Sequence, residues 1–217
     1  MTSRFLDRRE AGRRLAADLV QYANRADVRV LALPRGGVPV AFEVARALDA
    51  PLDVFVVRKL GVPGHEEYAM GAIATGGVVL LNDEVVRSVG VSDASVQRVL
   101  RDEQRELERR EQRYRGDRAP PDVAGRTAIL VDDGLATGST MLAAVAALRA
   151  ERPAQIVVAV PVASSESCEA MRRAADKVVC SVTPEPFYAV GLWYDDFSQT
   201  SDDEVHELLE QAAHAPH

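Results

Sequence analysis

Short apolar runs alternate along the chain with stretches in which apolar residues recur at helical spacing. The apolar runs, rich in Val, Leu and Ile, predict strands at residues 28–33, 52–57, 127–131, 155–160 and 177–182. The helical spacing predicts helices at residues 7–24, 38–48, 92–115, 141–150, 164–175 and 202–213. Strands that alternate with helices indicate an α/β fold, with a mostly parallel central sheet flanked by helices.

Two segments depart from this alternation. Residues 60–69 contain two glycines, a proline and a histidine, which predicts a mobile loop, and a strand with a Gly76-Gly77 turn follows at residues 71–81. Residues 183–197 are rich in aromatic side chains and prolines. We therefore expect one domain over residues 1–217, with a core of about 1–182 and a small C-terminal hood of about 183–217.

Composition narrows the class of protein. The chain has 217 residues, 47% of them hydrophobic, which is enough for a proper core. It carries 26 basic against 33 acidic residues, a net charge of −7, which argues against a nucleic-acid partner. Charges of both signs alternate along residues 92–115, which favours a solvated helix, and a homodimer contact there is one expectation.

The sequence also bears on location. No apolar run approaches the length of a membrane span, and the first residues contain no signal-peptide stretch. Cys168 and Cys180 do not form a Cys-x-x-Cys pair, so we expect reduced, buried or half-buried thiols and neither a disulfide nor a metal site. These observations predict a cytoplasmic protein without a membrane partner.

The chemistry concentrates at residues 127–140, where an apolar strand is followed by Asp132, Asp133, a loop of small and hydroxylated residues, and a helix. Exposed backbone N–H groups at a helix start bind anions, and the hydroxyls add donors, so the loop suits a phosphate. The two carboxylates accept hydrogen bonds and suit sugar hydroxyls or hydrated Mg²⁺. Together they indicate a site for a ribose 5-phosphate.

This stretch resembles the phosphoribosyl-pyrophosphate (PRPP) motif of type I phosphoribosyltransferases. The resemblance implies that Asp132 and Asp133 bind the ribose and help to place Mg²⁺, and that the following loop binds the 5-phosphate through Gly134, Leu135, Ala136, Thr137, Gly138, Ser139 and Thr140. An ordinary strand-to-helix turn is the simpler alternative. Two other phosphate-binding patterns are absent, because the chain has neither a Gly-Lys pair nor a Gly-x-Gly-x-x-Gly sequence.

A second turn between strand and helix, at residues 33–37, resembles the pyrophosphate-binding loop of the same family. The resemblance implies that Arg35, Gly36 and Gly37 hold the departing pyrophosphate, and that a non-proline cis peptide occurs near Pro34–Arg35. A plain tight turn is the alternative. The family's flexible loop corresponds to residues 60–69, and Lys59 directly precedes it. The resemblance therefore makes Lys59 a catalytic candidate, together with Arg35, Asp132 and Asp133. The further candidates for pyrophosphate contacts there are Arg58 and His65.

The aromatic run near the C-terminus resembles, more loosely, the hood of purine-type members. The resemblance implies that Tyr188 or Trp193 stacks on a flat acceptor, and that Asp195, like Asp132, lies near the metal. A small aromatic cluster that closes the core is the alternative. In enzymes for 6-oxopurines an Asp occupies the position of Ala136, and a Lys follows a later strand where this chain has residues 161–164, Pro-Val-Ala-Ser. We therefore expect an acceptor other than a 6-oxopurine.

Three functions remain open at the level of sequence. The first is transfer of the phosphoribosyl group of PRPP to a small nitrogen nucleophile, with Mg²⁺ as cofactor. The second is a catalytically silent regulator that binds PRPP or a nucleotide. The third is a phosphohydrolase that uses the Asp pair, which is disfavoured because Val131 stands where the Asp-x-Asp-Gly site of such enzymes needs its first Asp.

Overall fold

The computed structural model describes residues 4–214 of the chain. Its central sheet has five strands, β1 (Val28–Ala32), β2 (Leu52–Val54), β6 (Thr127–Val131), β7 (Gln155–Val162) and β8 (Lys177–Val182). Their order in the sheet is β2-β1-β6-β7-β8, and every neighbouring pair is parallel. The predicted α/β fold with a mostly parallel sheet is confirmed.

Helices cover both faces of this sheet. Along β6, Ile129 faces a core shared with the first, second, fourth and seventh helices, whereas its neighbour Leu130 faces a core shared with the fifth and sixth helices. This alternation follows from the two-residue period of a strand, and burial on both faces explains the unbroken apolar runs of the sequence. The helices are α1 (Arg8–Ala17), α2 (Gly37–Leu48), α3 (Asp83–Val89), α4 (Asp93–Arg115), α5 (Ser139–Ala150), α6 (Ser165–Arg172) and α7 (Asp202–Ala213).

Several helix boundaries follow from capping side chains. Asp7 accepts a hydrogen bond from the backbone N–H of Glu10 and starts α1, and Ser92 and Ser201 start α4 and α7 in the same way. Helix α3 was not predicted, although Asn82 caps it, Asp83 and Glu84 lie in its first turn and Gly90 follows it. Those three features are ordinary start and stop signals and would have revealed it.

A second sheet replaces the loop expected at residues 60–69. Strands β3 (Val57–Val62), β4 (His65–Ala74) and β5 (Val78–Leu81) form an antiparallel sheet, in which β3 and β4 make a hairpin. The prediction of a loop is wrong because the glycines serve the hairpin. Gly61 lies at a register irregularity, where an added Cβ would come within 2.6 Å of the Glu66 carbonyl oxygen, and Gly64 has a positive φ of 79° at the turn. The prediction of a single strand at residues 52–57 is also wrong, because β2 ends at Val54 and β3 begins at Val57.

The expectation of two free cysteines is also wrong. Cys168 of α6 and Cys180 of β8 form a disulfide with an S–S distance of 2.03 Å. The two residues are brought together because α6 is the short connection between β7 and β8 and packs back onto that edge of the sheet. The spacing of 12 residues carries no recognised motif, so the sequence pattern alone contained no sign of the pairing.

The hood closes one end of the sheet and is described as far as residue 214, so residues 215–217 of the predicted hood lie outside the described part of the chain. Phe5 and Tyr194 pair by a parallel bridge, and their rings lie 5.4 Å apart between centroids. With Ala11 and Val162 they form a small buried cluster, against which Trp193 packs. Within residues 4–214 no helix combines the length and the apolar character that a membrane crossing requires.

Candidate functional site

The loop after β6 encloses a small cavity. The cavity measures about 150 Å³ and is lined by residues 134–141 together with Asp132. Gly138, with a positive φ of 69°, is one of the lining residues and turns the chain into α5. All seven residues expected to bind a 5-phosphate therefore line one space, and the first turn of α5 contributes backbone N–H groups there.

Neighbouring elements hold this loop in place. The backbone N–H of Leu135 donates to the Val162 carbonyl at 2.9 Å, and the Ser167 hydroxyl of α6 donates to the carbonyl of Ala136. An added Cβ at Gly138 would lie 2.9 Å from the Cε of Met171, also on α6. The shape of the loop thus depends on β7 and on α6, the helix that carries Cys168.

Asp132 and Asp133 lie side by side at the carboxyl end of β6. The backbone N–H of Asp133 donates to Oδ1 of Asp132 at 2.8 Å, which fixes the orientation of the first carboxylate. Burial raises the pKa of Asp132 well above its usual range, and the negative charge of Asp133 raises it further. Burial also raises the pKa of Asp133, while the adjacent Arg8 guanidinium lowers it.

Arg8, from the start of α1, is a part of the site that sequence reasoning missed. Its Nε donates to Oδ2 of Asp133 at 2.8 Å, and one of its terminal nitrogens donates to the Ser198 carbonyl at 2.6 Å. Its guanidinium also stacks 4.0 Å from the centre of the Phe197 ring. Arg8 and Asp133 are 125 residues apart, and no local motif connects them.

The glycine turn between β1 and α2 touches the acid pair directly. Strands β1 and β6 are neighbours, with Ala32 opposite Val131, so both turns lie at the same end of the sheet. A Cβ on Gly36 would lie 2.1 Å from Oδ2 of Asp133, and one on Gly37 would lie 2.7 Å from the Val131 carbonyl oxygen. Only glycines permit this approach. The Pro34–Arg35 peptide is cis, as the family resemblance implied.

The basic candidates around these turns point in different directions. A terminal nitrogen of Arg35 lies 3.7 Å from Oδ1 of Asp202 at the start of α7. Lys59 Nζ donates to the Ser139 hydroxyl oxygen at 2.9 Å, which brings it beside a residue that lines the cavity of residues 134–141. Arg58 instead pairs with Glu103 of α4 at 2.6 Å, and His65 is exposed at the tip of the hairpin. The structure thus places Lys59, but neither Arg58 nor His65, against the loop of residues 134–140.

The hood contacts the site through residues that the sequence did not single out. Tyr194 donates its hydroxyl to the Asp133 carbonyl at 2.6 Å, and an added Cβ on Gly134 would lie 2.6 Å from Val190. Burial raises the pKa of the Tyr194 hydroxyl, which keeps it a donor. Of the predicted acceptor-binding rings, Tyr188 is 79% exposed and Trp193 packs against the cluster around Phe5.

A magnesium ion fits the acid pair only with further ligands. The described residues contain no group of three or more His, Cys, Asp or Glu side chains that could hold a metal by themselves. Asp132 and Asp133 nevertheless offer the hard oxygen donors that Mg²⁺ prefers, and Mg²⁺ commonly completes its shell with water and phosphate oxygens. Asp195 is exposed, and its backbone N–H donates a hydrogen bond to the Phe5 carbonyl.

Comparison with known proteins places the chain in a family. Residues 2–194 match the family described as "Phosphoribosyl transferase domain". The chain belongs to this family. It is 50% identical over 208 residues to two curated Mycobacterium tuberculosis proteins, from strains CDC 1551 / Oshkosh and H37Rv, each named "Putative phosphoribosyl transferase". These matches cover 96% of this chain but 47% of each relative, so the chain spans about half the length of the curated relatives it matches.

A solved structure supports the same fold. The crystal structure of the protein TT1426 from Thermus thermophilus superposes with a TM-score of 0.84 at 44% sequence identity. The match covers 96% of this chain and 98% of that one. The arrangement of two sheets and a hood is therefore shared with a protein that has been solved by crystallography.

Proposed function

We propose that the protein transfers the 5-phosphoribosyl group of PRPP to a small nitrogen nucleophile and releases pyrophosphate. The observation that carries this proposal is the meeting of two loops at neighbouring strand ends, where Gly36 abuts Oδ2 of Asp133 beside the cavity of residues 134–141. A phosphate cavity, a carboxylate pair and a glycine turn match the three polar parts of PRPP. The names of the relatives support the same class of reaction.

In the proposed reaction the bond from C1 of the ribose to the pyrophosphate oxygen breaks, and a bond from C1 to the acceptor nitrogen forms. Positive charge develops on the ribose ring in the transition state. Residues 134–140 would hold the 5-phosphate, Asp132 and Asp133 would receive the ribose hydroxyls, and the turn at residues 35–37 would hold the pyrophosphate. The contribution of the protein is positioning and electrostatics.

Mg²⁺, when bound with PRPP, would offset the charge of the leaving pyrophosphate. Asp132 is its proposed protein ligand. For the acceptor, Ala136 lines the phosphate cavity without a carboxylate, which supports the proposal that the acceptor is not a 6-oxopurine. Adenine, orotate, uracil and simple amines fit this proposal.

We further propose a homodimer that works in the cytoplasm. Exposed apolar side chains on β5 and α3 offer a surface for a second copy, namely Val79, Leu81 and Val89. Light scattering after size exclusion tests the oligomer. The Cys168–Cys180 disulfide counts against this cytoplasmic location, because such bonds are rare in a reducing compartment.

Labelled PRPP offered with a panel of bases and amines tests the proposed reaction. Pyrophosphate release that depends on an acceptor supports the transferase. Tight binding of PRPP without turnover supports the second candidate, a catalytically silent regulator. The double variant Asp133→Asn/Thr137→Val is expected to lose PRPP affinity, whereas Asp176→Asn, a carboxylate paired with Arg149 elsewhere, serves as the control.

A further inference from the structure

Arg8 joins three parts of the molecule that are remote in sequence. It begins α1, its Nε bonds Asp133 at 2.8 Å, and it bonds the Ser198 carbonyl at 2.6 Å beneath the Phe197 ring. Its side chain is only 12% exposed, and that of Asp133 is 16% exposed. A charged hydrogen bond with so little access to water is stronger than one at the surface.

The planar guanidinium suits this position. Its several N–H donors lie in a fixed fork, so one side chain can bond a carboxylate and a carbonyl while its flat face stacks on a ring. A lysine has a single charged centre and could reproduce the contact with Asp133 but not all three interactions together. Arg8 also limits the turn at Gly36, where its Nε would lie 3.3 Å from an added Cβ.

The same region ties the hood to the N-terminal segment. The backbone N–H groups of Asp195 and Asp196 donate to the carbonyls of Phe5 and Leu6, at 2.8 and 2.9 Å. The seating of residues 195–198 therefore depends on the segment that carries Arg8. The bond of Arg8 to the Ser198 carbonyl connects this part of the hood to the contact between Arg8 and Asp133.

We propose that Arg8 is a positioning residue of the phosphoribosyl site, which holds the Asp133 carboxylate toward the ribose hydroxyls and couples its orientation to the seating of residues 195–198. The part that concerns ribose rests on the function proposed above. The coupling between Asp133 and the hood does not, because both ends are defined in the protein itself.

PRPP binding measured by calorimetry tests the first part without an acceptor. Arg8→Met is expected to weaken binding about tenfold, the usual order for a lost hydrogen bond to a charged group. In the Asp133→Asn background the same substitution should have little further effect, because Arg8 acts through that carboxylate. Arg8→Lys should recover most of the affinity.

Arg14→Met is the matched control. It removes the same charge from the same helix, where Arg14 stacks 4.5 Å from the Phe5 ring centre and pairs with Glu10, and should leave PRPP affinity unchanged. If the losses of PRPP affinity caused by Arg8→Met and Asp133→Asn multiply in the double variant, the two residues act independently and the positioning role is wrong. An equal loss in Arg14→Met would overturn it as well.

Hydrogen exchange of the unliganded protein tests the coupling. Arg8→Met and Asp133→Asn should both speed amide exchange at residues 195–198. Arg8→Lys should also speed exchange there, although it keeps most of the PRPP affinity. Wild-type exchange rates in Asp133→Asn would overturn the coupling. Should wild-type protein fail to bind PRPP, the proposed function falls, and the exchange rates still decide whether Arg8 couples Asp133 to the hood.

Discussion

Lys59 Nζ lies 2.9 Å from the Ser139 hydroxyl oxygen and thereby joins β3 to the first turn of α5. The contact therefore connects the antiparallel sheet to the cavity lined by residues 134–141. It brings the positive charge of Lys59 next to that cavity, where the 5-phosphate of the proposed substrate would neutralise it. The sequence made Lys59 a candidate because it adjoins the segment that corresponds to the family's flexible loop, and the structure places it beside the loop of residues 134–140.

Lys59→Met is expected to weaken the binding of PRPP and of inorganic phosphate about tenfold, because a charge-assisted hydrogen bond to the phosphate is lost. Lys177→Met is the matched control, since Lys177 is exposed and lies over the Tyr22 ring. Calorimetric titration of both ligands provides the measurement. Equal affinities in wild type and Lys59→Met would show that the contact with Ser139 serves the fold alone.

Gly36→Ala tests the close approach of the two loops. The new methyl would meet Oδ2 of Asp133 at 2.1 Å, and that oxygen cannot simply turn away because Arg8 holds it. We expect a loss of about 1 to 3 kcal/mol in the free energy of unfolding, as for other overpacked positions. In an Asp133→Ala background the same substitution should cost clearly less, as judged by urea unfolding. Equal costs in the two backgrounds would refute the clash.

The disulfide is expected to stabilise both the fold and the phosphate loop. It closes a loop between residues 12 apart, for which the loss of the cross-link is worth about 3 kcal/mol. Since α6 also supports Ala136 through Ser167, reduction should weaken PRPP binding as well. Urea unfolding and PRPP titration with and without dithiothreitol measure both effects. A Cys168→Ser/Cys180→Ser variant should be insensitive to the reductant, and a similar response in that variant would exclude the disulfide as the cause.

Local patterns explain which parts of the site could be predicted. The strand, acid pair, loop and α5 are contiguous in sequence, so hydrophobic spacing and residue chemistry define them together. The turn at Gly36 and Gly37 was recognisable for the same reason. Alternation along β3 could also have shown that Arg58 and Lys59 point to opposite sides, had residues 57–62 been recognised as one strand.

The parts that escaped prediction depend on contacts between distant segments. Arg8 is one of several arginines in α1, and only the packing of that helix selects it as the partner of Asp133. The pairing of Cys168 with Cys180 likewise depends on how α6 packs against β8. The hairpin was missed because Gly61 and Gly64 were interpreted as signs of a loop, although glycine serves a bulge or a tight turn equally well.

Tyr114 is expected to make the stability of the protein depend on pH in the alkaline range. Its buried hydroxyl donates to Oδ1 of Asp202 at 2.8 Å, and burial, followed by this bond, raises the pKa of Tyr114 to about 12. Because the pKa in the folded protein exceeds the ordinary value of about 10, the stabilisation is complete below pH of about 10 and is lost as the pH rises toward 12.

Tyr114→Phe should therefore reduce the free energy of unfolding by about 1 kcal/mol at neutral pH. The difference from wild type should shrink as the pH rises through that window. Denaturant unfolding at several alkaline pH values provides the measurement, with Tyr188→Phe, a side chain that is 79% exposed, as the control. A constant difference between wild type and Tyr114→Phe at every pH would contradict the assignment.

Trp193 offers a direct test of the predicted acceptor site, because it is the single tryptophan of the chain. If the acceptor stacks on the hood, nitrogen heterocycles such as adenine, orotate or uracil should change the fluorescence of Trp193 once PRPP is bound. Tyr188→Ala should then raise the KM for the acceptor several-fold and leave the KM for PRPP unchanged, because its ring is 79% exposed and lies outside the proposed PRPP contacts. Suppose that turnover occurs without a change in Trp193 fluorescence and that Tyr188→Ala has an unaltered KM for the acceptor. The acceptor then binds elsewhere than the hood, and the proposed PRPP site is unaffected by this result.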